Sequence, residues 1–296
     1  MSRPSDLMEV AGASDSYADV NGIRLHYVES GQGPLVVLLH GFPEFWYSWR
    51  HQIPALAAAG YHVVAPDMRG YNLSDKPSGW RAYDGEHLAA DIAALIRHSG
   101  VEKAHLVGHD WGAAVAYLTA MDHPDSVERL AILNVPHPAR MLDGFRTVKQ
   151  LRKSWYMFFF QIPYLPEKLL ARDGFAFAKR SLRADSPESF TDADLERYAE
   201  AWSQPGAFTG MINYYRAALR QSPRKALDRM SPIDCPVLVI WGQRDRHLGS
   251  ELADPGRRWA PKVRVERIPD ATHWVQHDAA ERVNELLTDF IGASDP

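Results

Sequence analysis

The chain carries Gly108-His109-Asp110-Trp111-Gly112 between an apolar run and a helical stretch. A strand that becomes a helix within five residues, with glycine at both ends, leaves the backbone little choice. Such a turn brings chain segments close together, where glycine is the residue that fits. It also lifts its central side chain over the edge of a sheet, a position usually held by serine. Here the central residue is Asp110. One reading is an aspartate N-cap, which satisfies free N–H groups at a helix start and carries no chemistry. The other is a nucleophile. The remainder of the chain decides between them.

Leu35–Leu39 is continuously apolar rather than alternating, the pattern of a strand covered on both faces in a parallel sheet. Upstream, Asn21-Gly22 separates Tyr17–Val20 from Ile23–Glu29, and both turn residues tolerate positive φ, so a hairpin is predicted. Downstream, strand and helix alternate. A helical stretch over 47–59 ends at Gly60, and His62–Ala65 is a short strand. Asp84 caps a helix that places Leu88, Ile92, Leu95 and Ile96 on one face and closes at Gly100. Strands Ala104–Val107 and Leu130–Leu133 flank a helix over 112–122. Much later come strand Val237–Trp241, a helix near 250–259, strand Val263–Ile268 and a helix near 277–292. This order predicts an α/β fold with a mostly parallel sheet. Residues 1 to about 15 are small and polar and read as a loose tail.

Between about 136 and 229 the alternation stops, and only helical stretches and turns are legible. Fourteen of the 32 aromatic residues fall between 151 and 215, so the segment needs a core of its own. It reads as a helical subdomain, or more sharply as a lid whose underside lines a pocket. The expected division is a core over 1–135 and 230–296 with a helical cap over 136–229.

Lys and Arg number 33 against 37 Asp and Glu, a net charge of −4. No basic excess is available to displace counterions from a phosphate backbone, so nucleic acid is not expected as a partner. The single cysteine, Cys235, excludes an internal disulfide and a cysteine-based zinc cluster. There is no HExxH and no phosphate-binding glycine loop, so neither a metal nor an organic cofactor is expected. Apolar runs such as Leu35–Leu39 and Val237–Trp241 are too short to cross a bilayer, and the N-terminus lacks a hydrophobic signal segment. The expectation is a soluble cytoplasmic protein, with the oligomeric state open between monomer and homodimer.

Three further loops each follow a predicted strand, where open α/β sheets place their sites. His40-Gly41-Phe42-Pro43 follows the first buried strand and is placed to offer an oxyanion N–H. Trp241-Gly242-Gln243-Arg244-Asp245 follows a later one, and Pro269-Asp270-Ala271-Thr272-His273-Trp274 follows the last. Among 13 histidines, His273 is singled out by that position, while His40 and His109 read as supports of loop geometry. A carboxylate nucleophile narrows the chemistry. It is already ionised at neutral pH and needs no base to attack. Attack on an ester carbonyl would give an anhydride, whereas attack on an sp³ carbon gives an ordinary ester that histidine-activated water can hydrolyse. Asp110 therefore points to epoxides or carbon–halogen bonds, and away from carboxylic esters.

With these pieces in place the chain resembles the α/β-hydrolase superfamily, and within it the epoxide hydrolases. The likeness runs from about residue 17 to 292. It rests on HGFPE at 40–44 with YSWRHQIPAL at 47–56, PDMRGYNLSDKP at 66–77, GHDWG at 108–112, the WGQRD turn and the ATHW loop. One departure is Asn72, where the family usually has glycine; a local change of loop conformation is expected there. Epoxide hydrolases use two lid tyrosines as proton donors. Trp155-Tyr156-Met157-Phe158-Phe159-Phe160-Gln161 resembles the first such segment, with Tyr156 as donor. Asn213-Tyr214-Tyr215-Arg216 resembles the second, with Tyr215 as donor and Tyr214 as its rival. Haloalkane dehalogenases often have asparagine where this chain has Phe42; fluoroacetate dehalogenases carry arginine where it has Trp111 and a halide-binding tryptophan where it has Tyr156. These departures favour an epoxide.

The resemblance implies an α/β-hydrolase fold with an inserted cap, and an enzyme that converts a small-molecule epoxide and water to a vicinal diol. Tyr156 and Tyr215 would hold the epoxide oxygen while Asp110 attacks a ring carbon. His273, oriented by Asp245, would activate water, and the backbone N–H groups of Phe42 and Trp111 would hold the oxyanion. Phe42, Trp111, Tyr156 and Tyr215 would contact substrate. The alternatives are a haloalkane or haloacetate dehalogenase with the same nucleophile, and a catalytically idle ligand-binding protein on the same scaffold.

Overall fold

The uninterrupted apolar runs lie at the centre of an eight-stranded sheet. A computed structural model describes residue 10 and residues 12–293. The strands are β1 (Ser14–Val20), β2 (Ile23–Ser30), β3 (Leu35–Leu39), β4 (His62–Pro66), β5 (Ala104–His109), β6 (Val127–Leu133), β7 (Val237–Gly242) and β8 (Val263–Ile268), in the spatial order β1-β2-β4-β3-β5-β6-β7-β8. Only β2 runs against its neighbours; every other pairing is parallel. β3, β5 and β7 are buried at every residue, as their unbroken apolar or near-apolar runs require. The parallel register sets the carboxyl ends of β3, β5, β6, β7 and β8 along one edge, and the loops carrying the candidate residues leave from that edge.

Helices α1 (Gln52–Ala58), α2 (Gly85–His98) and α3 (Trp111–Asp122) flank the sheet, with α2 packed on α3. The Asp84 side chain caps α2 by accepting from the His87 N–H, and Asn21 and Gly22 both take positive φ in the β1–β2 hairpin. Two expectations need correction. No α-helix spans 250–259: only a short 3-10 turn at Ser250–Leu252 forms, because Pro255 and left-handed Gly256 (φ 79°) follow. The last helical stretch is two pieces, α11 (Val275–Asp278) and α12 (Ala280–Gly292), interrupted at Ala279, and α12 packs against α1. Of the stretch expected as a tail, residues 1–9 and 11 lie outside the described residues, while Val10 is buried and β1 begins at Ser14.

Between β6 and β7 the described residues form helices and turns: α4 (Pro138–Gly144), α5 (Val148–Lys153), α6 (Trp155–Phe159), α7 (Leu165–Asp185), α8 (Asp192–Ser203), α9 (Ala207–Arg220) and α10 (Pro223–Asp228). α7 is kinked where Asp173, Gly174 and Phe175 are left-handed. Buried hydrogen bonds fasten this insertion to the core. Tyr198 donates to Glu44 Oε1 (2.7 Å), Tyr47 to Asp194 Oδ1 (3.0 Å), and the Trp202 indole to the Pro43 carbonyl (2.5 Å). No helix among the described residues is long and apolar enough to cross a membrane.

His137 marks the entry to the insertion. Its Nδ1 caps α4 at Ala139, and its ring stacks on Trp259 at 5.3 Å. Burial lowers its pKa to about 4. The unfolded chain takes up this proton near pH 6.5 and the native state only near 4, so the group costs stability as pH falls between those values, up to about 3 kcal/mol. We expect the urea-unfolding free energy to fall over that range, and His137→Gln to make the fall shallower; an unchanged slope would contradict the assignment.

Candidate active site

The turn after β5 holds Asp110 at φ 47° and ψ −123°, a conformation rare for a residue with a side chain. Close packing imposes it. A Cβ at Gly112 would strike the Leu39 carbonyl, and one at Gly41 would strike the Asp110 side chain itself. The carboxylate is thereby pressed against the loop after β3. Its Oδ1 accepts the Phe42 N–H at 2.7 Å, and its Oδ2 lies 3.5 Å from His273 Nε2. His273 Nδ1 is 2.7 Å from Asp245 Oδ2. Three loops leaving β5, β7 and β8 thus bring Asp110, Asp245 and His273 into one line.

Each charge has a physical account. Burial alone would raise the Asp110 carboxyl, but His273, His109 and the Phe42 N–H hold it below its ordinary value. Asp245 is likewise held well below the carboxylate range, burial being outweighed by His273, His247 and Asn134. Burial disfavours a charged imidazole, yet Asp245 and Asp110 together lift the His273 pKa well above its usual value. The two carboxylates thus favour the protonated form of the imidazole between them.

A cavity of about 550 Å³ opens over Asp110, lined by Phe42, Tyr156, Phe160, Tyr215, Leu182 and His247 among others. Tyr156 comes from α6 and Tyr215 from α9, and their rings stand 5.8 Å apart at 81°. Burial raises both phenols, with Asp110 adding to the rise. Tyr214 faces the other way: its hydroxyl donates to the Arg69 carbonyl (2.8 Å) in the core. Trp111, expected to contact substrate, packs against the cavity-lining Tyr215. Its indole stands edge-on to Tyr215, ring centres 5.0 Å apart. Asn72 takes the left-handed conformation (φ 34°) that glycine would supply, and its amide holds Asp67 Oδ2 at 2.8 Å. His40 accepts the Met68 N–H (3.0 Å), and His109 Nε2 bonds the His273 carbonyl (2.9 Å), so both steady loops.

Sequence reading missed several supports. Asn134, at the end of β6 with φ 51°, donates to Asp245 Oδ2 (2.8 Å) and accepts the Gly242 N–H (2.8 Å). Its signal was a lone amide directly after the apolar run Leu130–Leu133, at the same sheet edge as the other site loops. Asp245 Oδ1 takes the N–H groups of His247 (2.7 Å) and Leu248 (2.8 Å). Below His273, Gln276 Nε2 bridges Glu44 Oε2, Ser48 Oγ and His109 Nδ1, each at 3.1 Å.

The chain matches a family profile described as alpha/beta hydrolase fold over residues 34–280. It is 42% identical to the AB hydrolase superfamily protein YfhM of Bacillus subtilis, across 95% of this chain and 98% of that protein. It is 36% identical to Epoxide hydrolase 2 of Caenorhabditis elegans, across 93% of this chain and 79% of that one. Among solved structures, a Bacillus megaterium epoxide hydrolase in complex with an inhibitor superposes with a TM-score of 0.87 at 34% identity, covering 94% of this chain and all of that one.

Asn134→Gly keeps the positive φ available while removing both side-chain bonds. It is expected to cost about 1–3 kcal/mol in urea unfolding. A cost near zero would show that the amide does not support Asp245.

Proposed function

The chain belongs to the α/β-hydrolase fold family, in its epoxide hydrolase branch, and on that premise we propose how its own residues turn an epoxide into a vicinal diol. The observation that carries the reading is the placement of Asp110, Oδ1 on the Phe42 N–H and Oδ2 toward His273. A nucleophile held this way needs no deprotonation before it attacks. The cavity is mostly apolar, which suits an epoxide with an apolar body.

Tyr156 and Tyr215 donate hydrogen bonds to the epoxide oxygen. Asp110 Oδ2 attacks a ring carbon, the ring C–O bond breaks, and the oxygen, developing as an alkoxide, takes the proton of one of the two phenols. Oδ1 becomes the carbonyl oxygen of the resulting ester. Alkylation removes the negative charge beside His273, and with it one of the two carboxylates that raise its pKa. The imidazolium gives up its proton by way of solvent, restoring the phenol, and the neutral imidazole then deprotonates water. That water adds to the ester carbonyl, the oxyanion forms on Oδ1 against the Phe42 and Trp111 N–H groups, and the adduct collapses: the acyl bond to the glycol oxygen breaks, that oxygen takes the adduct's hydroxyl proton, and the diol departs from the restored Asp110 carboxylate. Asp245 stabilises the imidazolium throughout. In this reading the helical insertion over 136–229 is a cap that supplies the proton donors, and the core segments 1–135 and 230–296 supply the nucleophile and the relay.

The phenols should be separable by rate. Tyr156→Phe and Tyr215→Phe are each expected to slow ring opening tenfold to a thousandfold, about 1.4–4 kcal/mol, in single-turnover assays on styrene oxide. Tyr214→Phe should lower stability and leave that rate nearly intact. Silent changes at both Tyr156 and Tyr215, or no diol from aryl, alkyl or fatty-acid epoxides, would defeat the reading.

A further inference from the structure

Eleven large apolar side chains stand exposed among the described residues, and nine of them lie between Val148 and Phe177. Scattered exposed apolar residues are ordinary; a cluster within thirty positions marks a contact surface. Trp155 is 59% exposed, Phe158 49% and Phe177 54%, so these are not partly covered core residues.

The same segment is basic. Residues 145–180 hold eight Lys and Arg against two Asp and Glu, a net of +6 in a chain of −4, which leaves −10 for the rest. Three of these cations, Arg146, Lys149 and Lys179, pair with Asp143, Glu251 and Glu196 from outside the segment. Glu167 is turned inward onto Arg216 (2.6 Å), and Asp173 pairs with its neighbour Arg172 (3.3 Å). Arg152, Lys168 and Arg180 are exposed, with no ion-pair partner among the described residues.

The cavity over Asp110 opens on this face. Trp155, Leu169, Phe177, Arg172 and Arg180 are at once exposed and part of the cavity lining. A second copy of the chain fits poorly, because a two-fold contact would set the basic face against itself. An anionic lipid surface fits both halves of the pattern. Trp, Phe and Leu enter the interface, and Lys and Arg meet the headgroups.

We propose that the α5–α7 face docks on an anionic lipid bilayer, and that apolar epoxides reach Asp110 from the lipid phase through the mouth that this face carries. The docking does not depend on the reaction; the entry route rests on the cavity being the epoxide site.

The test is sedimentation of the full chain with phosphatidylcholine vesicles containing about one-quarter phosphatidylserine, and with pure phosphatidylcholine vesicles. Binding is expected to the first at low salt, to be much weaker to the second, and to fall as salt rises. Arg152→Glu with Lys168→Glu, and separately Phe158→Ser with Ile162→Ser, should each weaken vesicle binding roughly tenfold or more. These four positions lie outside the cavity wall, so turnover of a small water-soluble epoxide should be unchanged while turnover of a vesicle-dissolved long-chain epoxide drops. Wild-type protein that ignores anionic vesicles, or variants that bind as well as wild type, would overturn the docking. So would a wild-type dimer lost on Phe158→Ser with Ile162→Ser, which would assign the face to a second copy. Docking without any diol formation would instead fault the reading of the reaction. Docking with equal loss on both substrates would remove the entry route alone.

Discussion

Everything in the site depends on one carboxylate held in a backbone conformation it would not choose. Asp110 sits at positive φ because Gly112 lets helix α3 close against the Leu39 carbonyl and Gly41 lets the next loop close against Asp110. That crowding aims one oxygen at the Phe42 N–H and the other at His273. A strained φ/ψ pair costs of the order of 1–3 kcal/mol and persists only when its surroundings over-determine it. Here the surroundings are the fully buried parallel strands β3 and β5, locked in register from Val36–His105 to Leu39–Gly108.

The insertion contributes more than two phenols. It grips the loop that carries Asp245 from two sides. From α5, Gln150 donates to the His247 carbonyl (2.9 Å), and Lys153 donates to the carbonyls of Asp245 (2.8 Å) and Leu248 (3.2 Å). From the end of α7, Asp185 holds His247 Nε2 at 2.5 Å. The turn after α7 also reaches the histidine loop, where Ser186 and Ser189 both bond Asp278, and Asp278 in turn holds the Thr272 N–H (2.7 Å). The loops carrying Asp245 and His273 are therefore held by the same insertion that roofs the cavity.

Much of this was legible in the sequence, for identifiable reasons. Parallel strands announce themselves as unbroken apolar runs, and Leu35–Leu39 and Val237–Trp241 did so. The hairpin at Asn21-Gly22 and the cap at Asp84 are local backbone chemistry and need no tertiary context. The family resemblance likewise stands, since the α/β-hydrolase profile and the epoxide hydrolase relatives span nearly the whole chain. What stayed hidden is non-local. Asn134 acts across 111 positions on Asp245, and Asp185 across 62 on His247. A polar residue engaged that far away looks like any other polar residue in sequence. The helix expected near 250–259 fails for the opposite reason: a local signal, Pro255-Gly256, ends the chain's turn after Leu252.

The central claim is that the substrate becomes covalently attached to Asp110 before water enters. In that reading His273→Gln removes the base of the second half-reaction and leaves the nucleophile in place. Intact-protein mass spectrometry of that variant, after mixing with styrene oxide, should show one substrate mass added, with peptide mapping placing it on Asp110 and the additional change Asp110→Ala erasing it. An adduct on another residue, or turnover that survives the loss of Asp110, would contradict the account.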